Sequence, residues 1–192
     1  MGNNYSYYLY FENQDKWNVL KSIALLSENN QNKGTVIITE SSEKISLPFS
    51  QFKGTEQIIF DRGVKELDFN ISLNFEIDNA IRNYNSFKEE SNQRTKIPIG
   101  FIWFGIHFGK KYVLFTFTAS TNEMSWLFFK SNSIKETFIS LLRKHNGKIG
   151  IFEEEERQTI IWKSGREISE EITCIELDVD IDDLFEEYFS SI

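Results

Sequence analysis

From Phe69 to Ile77 the residues alternate without a break. Phe69, Ile71, Leu73, Phe75 and Ile77 are apolar, and Asn70, Ser72, Asn74 and Glu76 lie between them. A period of two puts one set on each face of an extended strand. A strand with one dry and one wet face belongs in an antiparallel sheet, because parallel sheets are covered on both sides. The spacing predicts two more long strands at residues 97–108 and 112–119, joined by a hairpin at Gly109-Lys110-Lys111. Shorter strands are expected at 44–47 and 57–60, on either side of a loop carrying Pro48 and Gly54, with a turn at Asp61-Arg62-Gly63. A further pair is expected at 158–163 and 172–177, around Ser164-Gly165.

Three helices are expected. In the first, residues 14–27, Trp17, Leu20, Ile23 and Ala24 share a face, with Asn13 or Asp15 as cap. The second covers 133–145. Ser133 and Glu136 make a capping box, Ile134, Phe138, Leu141 and Leu142 form the apolar stripe, and Gly147 is a left-handed stop. Arg143, Lys144 and His145 fall in its last turn, where positive charge suits the dipole. The third, 181–190, carries Ile181, Leu184, Phe185, Tyr188 and Ile192 on one face.

Before the second helix, Trp126-Leu127-Phe128-Phe129 is a continuous apolar run of strand length, so residues 124–153 read as a β-α-β unit. Residues 5–40 repeat the plan, with Tyr8-Leu9-Tyr10-Phe11 in the place of that run. The fold class expected is therefore α+β, mainly antiparallel sheet with about three helices, open to a reading as two duplicated β-α-β-β units. The chain of 192 residues reads as a single domain. It also divides into half-domains 1–82 and 97–192 across the polar stretch 83–96.

Eighteen Phe, four Trp and seven Tyr favour sheets and solid aromatic packing. Abundant Asn, Lys, Ile, Phe and Glu with two Pro match the usage of an AT-rich genome, bacterial or phage. The single cysteine, Cys174, excludes an internal disulfide and a cysteine-cluster metal site, and suits a reducing cytoplasm. The apolar residues 97–108 are too few to cross a bilayer. Met1-Gly2-Asn3-Asn4-Tyr5-Ser6 fits the loose myristoylation pattern, without a polybasic companion. A cytoplasmic protein without membrane contact is expected.

Charge is the feature that speaks to function. Residues 150–192 hold fourteen acidic and three basic residues, a net of −11, while the preceding 149 hold fifteen and eighteen, a net of +3. Two clusters dominate, Glu153-Glu154-Glu155-Glu156 and Asp178, Asp180, Asp182 and Asp183. A field of that sign repels nucleic acid and attracts basic partners. The chain is accordingly expected to be a non-enzymatic, immunity-like or antitoxin-like inhibitor. These eight carboxylates would mask the basic surface of a toxin or nuclease, or mimic nucleic acid in phage anti-defence.

Catalytic motifs are missing. Asp178-x-Asp180-x-Asp182 opens like a calcium loop, but Asp183 stands where glycine is needed and position 189 is Phe. There is no glycine-rich phosphate loop, G-x-S-x-G or H-E-x-x-H. No catalytic residue, cofactor or metal site is expected. The alternative is a small-molecule site or enzyme assembled from scattered residues around His107 and Cys174. The run Phe101-Ile102-Trp103-Phe104 is expected to pack in the core, since base-stacking platforms come with basic grooves.

Overall fold

The computed structural model describes residues 5–27, 33–40, 43–50, 57–60, 66–85, 95–155, 157–173, 175 and 180–189. Among the described residues, ten strands are arranged in two sheets with five α-helices. In chain order they are β1 (Ser6–Glu12), α1 (Lys16–Leu26), β2 (Lys33–Glu40), β3 (Glu43–Ser50), β4 (Gln57–Phe60), β5 (Glu66–Glu76), α2 (Asn79–Asn85), β6 (Lys96–Phe108), β7 (Tyr112–Ala119), α3 (Asn122–Lys130), α4 (Asn132–Lys144), β8 (Ile149–Glu154), β9 (Arg157–Lys163), β10 (Arg166–Ile172) and α5 (Ile181–Phe189). The main sheet runs β10-β9-β8-β1-β7-β6-β5, and each of its pairings is antiparallel. The small sheet runs β3-β2-β4, with β2 antiparallel to β3 and parallel to β4. The fold is α+β with mainly antiparallel sheet. No helix among the described residues is long and apolar enough to cross a membrane.

The alternation read from the sequence sorts the two faces. Tyr7, Leu9 and Phe11 of β1 join Phe69, Ile71, Leu73 and Phe75 of β5 in the larger core, where α1, α3 and α4 pack. Phe138 of α4, fully buried, is its centre, with ring centroids 4.6 Å from Tyr7, 4.5 Å from Phe117 and 6.1 Å from Phe75. Tyr10 and Leu114 face the other way and pack with Ile149, Ile151, Ile160, Leu184 and Phe185, so α5 covers that side. The molecule thus has three layers around one sheet. The central strand β1 takes its neighbours from far along the chain, Tyr112–Thr118 on one side and Ile149–Glu153 on the other.

Several expectations are corrected. Trp126-Leu127-Phe128-Phe129 belongs to helix α3. Thr121 caps α3 by accepting from the Met124 N–H, and Met124, Ser125, Leu127 and Phe128 are buried while Trp126 and Phe129 face out. That is a helical period, which a four-residue apolar run cannot reveal by itself. The unit at 124–153 is therefore α-α-β, its supposed copy at 5–40 opens with a true strand, and the duplication is not supported. Among the described residues five helices replace the three expected, α2 and α3 being the additions.

The ends of α4 also differ from expectation. Ser131, not Ser133, is the N-cap, accepting from the Ile134 N–H. Asn146, not Gly147, takes the left-handed conformation, at φ 52°. The Gly147 N–H then bonds the Leu142 carbonyl at 2.7 Å, the long bond of a Schellman ending. Gly147 is required for closeness instead, since a Cβ there would lie 2.4 Å from Leu142 Cδ2. His145, the C-cap, is half-buried and bonded to the Ser22 hydroxyl at 2.8 Å, and burial lowers its pKa, with Lys144 adding to this and Asp15 opposing it.

In α1, Asp15 occupies the cap position without a side-chain bond, and Asn13 instead donates to the carbonyls of Gly109 and Lys110. Pro48 lies within β3 and not in a loop. The strand expected at 172–177 is β10 at Arg166–Ile172, because Ser164 and Gly165, both at positive φ, reverse the chain in two residues. Residues 83–85 complete α2. Gly54, the turn at Asp61-Arg62-Gly63, residues 86–94 and Ile192 lie outside the described residues.

Candidate functional site

The first acidic cluster sits on the β8–β9 hairpin. Glu154 pairs with Arg157 across a two-residue turn, and Glu155 holds that turn at φ 54°. Glu156 lies outside the described residues. Glu153 is half-buried and engaged, accepting from the Tyr8 hydroxyl and, at 3.0 Å, from Gln158 Nε2. Glu155 is exposed and bonds the Tyr5 hydroxyl, whose pKa is raised by burial and then by Glu155 and Glu154.

Tyr5 links this turn to an aromatic patch. Its ring meets Phe129 edge-on at 6.2 Å and Phe152 at 6.0 Å, and Phe129 stacks on Phe152 at 6.5 Å. On the outer face of α3, Trp126 and Phe129 are 45% and 47% exposed, three residues apart and so on one helix face. Lys130 lies over the Phe129 ring at 4.4 Å. The sequence reading missed this patch because it took the run for a buried strand. The spacing of Trp126 and Phe129 at i and i+3 was the signal that could have found it.

The second cluster is built differently. Asp178 lies outside the described residues. Asp180 caps α5, its carboxylate accepting from the Asp182 N–H at 3.0 Å. Asp182 accepts from the backbone N–H groups of Lys110 at 2.6 Å and of Lys111 and Tyr112 at 3.0 Å, which makes it the clamp of the β6–β7 hairpin. Gly109 leaves room for it, since a Cβ there would lie 2.5 Å from Asp182 Oδ1. Lys111 pairs with Glu186 beside it, and Asp183 is exposed. The described members of the two clusters stand at opposite ends of β1. Ser6 is paired with Glu153 and Glu12 with Tyr112, so about 20 Å of strand separates them.

The surroundings of His107 form a third polar group. His107 Nδ1 lies 3.3 Å from Glu66 Oε1 on the neighbouring strand β5. Cys174 lies outside the described residues, and its neighbour Ile175 is bonded to Gln158 of β9, four strands across the sheet from β6. A cleft of about 400 Å³ opens between α1, α4 and β5, and His107 does not line it. The run 101–104 divides between core and surface: Ile102 and Phe104 are buried, Phe101 and Trp103 each 51% exposed. No protein-family model, curated protein or solved structure matches this chain.

Proposed function

We propose that the protein is a non-enzymatic inhibitor of immunity-like or antitoxin-like type, working in the cytoplasm by covering the basic surface of a toxin or nuclease. The observation that carries this reading is the exposed aromatic face of α3 beside the acidic β8–β9 turn. Trp126 and Phe129 offer large apolar area at little entropic cost, and such residues anchor protein interfaces. Glu154 and Glu155 rim them, and rim charges act chiefly on encounter rate and partner choice. A basic partner with apolar ground between its charges complements such a face. Asp182 belongs to the hairpin clamp and is a poor candidate for direct partner contact.

The test is affinity capture from the native host with full-length bait, followed by binding kinetics on the captured basic protein. Trp126→Ser with Phe129→Ser should weaken binding about 30-fold or more. Glu154→Ser with Glu155→Ser should slow association at low salt, leave dissociation nearly unchanged, and flatten the salt dependence. Failure to enrich any basic protein, or binding indifferent to both double variants, rejects the reading.

A further inference from the structure

The half of the main sheet that includes β5, β6 and β7 carries a convergence of polar atoms. In one row across these strands stand Asp68, Gly105 and Thr116, and in the next row Glu66, His107 and Leu114. Leu114 belongs to the core under α5, so alternation places all six on that side of the sheet. A Cβ on Gly105 would lie 2.3 Å from Thr116 Oγ1, 2.8 Å from Asp68 Oδ1 and 3.3 Å from His107 Nε2. Side-chain atoms from three strands therefore meet over one backbone position, and only glycine permits it. One oxygen each of Glu66 and Asp68 and one ring nitrogen of His107 lie within 4.8 Å of one another.

A plain surface ion pair accounts for Glu66 and His107 but not for the rest. Thr116 is 9% exposed, and its Oγ1 is aimed at the same point. Asp68, exposed, could turn to solvent, yet its Oδ1 lies over Gly105 beside that hydroxyl.

We propose that Asp68, His107 and Thr116, backed by Glu66, bind one divalent cation of the first transition row. An imidazole nitrogen with carboxylate and hydroxyl oxygens suits zinc, cobalt or manganese better than calcium or magnesium, which take oxygen alone. Glu66 on Nδ1 leaves Nε2 as the ligating nitrogen, the usual arrangement of a carboxylate behind a metal-bound histidine. Bonds of about 2.0–2.2 Å at a tetrahedral ion bring ligand atoms to about 3.3–3.6 Å apart, a contraction within reach of side-chain rotation here. Three protein donors leave a coordination position for water or a small anionic ligand. Trp103, one row along β6 and opposite Asn70, walls that side.

The proposal stands independently of the protein-binding reading. It is tested on untagged full-length protein, stripped with chelator and titrated with zinc by calorimetry and with cobalt by visible absorption. One equivalent should bind, with cobalt bands of a low-coordinate site and no competition from excess magnesium. His107→Ala and Asp68→Asn should each abolish binding, and Glu66→Gln should weaken it about 10- to 100-fold. His145→Ala and Cys174→Ser should leave it unchanged, and metal-free circular dichroism melts identify any variant that fails to fold. If His107→Ala misfolds, Asp68→Asn and Glu66→Gln decide the matter. Absence of zinc binding overturns the proposal, as does binding that survives these substitutions or follows His145 or Cys174.

Discussion

Asp78 and Asp182 are charges used as backbone clamps. Asp78 accepts from the Ile81 N–H at 2.9 Å in the first turn of α2. It also holds the start of α4 through the Ser131 hydroxyl at 2.8 Å and the Ser133 N–H at 3.1 Å. Burial works to raise the Asp78 pKa, but these bonds and one from the Ala80 N–H outweigh it, and the net shift is downward. A carboxylate depressed in the folded state stabilises fully above its unfolded pKa of about 3.9, and that contribution fades as pH falls through the lower folded value. Asp78→Asn should therefore cost about 1–2 kcal/mol in urea melts at pH 7, with the difference from the parent shrinking below about pH 4. Neither clamp was legible in the sequence. Asp182 read as a surface charge because the N–H groups it holds lie some seventy positions earlier, a proximity only the assembled sheet creates.

At the scale of elements, most strands were legible and two helices, α2 and α3, were not. β7 falls on the residues its pattern marks, and β5, β6 and β9 do so within a few, because alternation survives wherever one face is dry. α3 was hidden by its apolar run, and the exposed patch on its outer face was hidden with it. The break between α3 and α4 rests on Ser131, the C-cap of one and N-cap of the other, fixed in extended backbone at φ −84° and ψ 114°. Ser131→Ala removes the cap to Ile134 and one partner of Asp78 together. It should cost about 1–2 kcal/mol, read as a lowered denaturation midpoint with unchanged m-value.

For the molecule as a whole, the larger core is a web of aromatic rings between helix layer and sheet, and Phe138 is where they meet. Phe138→Ala should cost about 3–5 kcal/mol, measurable by equilibrium unfolding, since a fully buried ring with partners on four elements leaves a cavity that cannot collapse. The amount of aromatic packing was legible from composition; its arrangement, set by strand order, was not. That order has a consequence during synthesis. The strand made first is the sheet's spine, yet its partners end at Glu153. At ordinary ribosomal speeds Tyr7 to Phe11 wait roughly ten seconds or more before both sides are filled. For that interval the nascent chain presents an aromatic segment with two open edges, the state a holdase chaperone recognises.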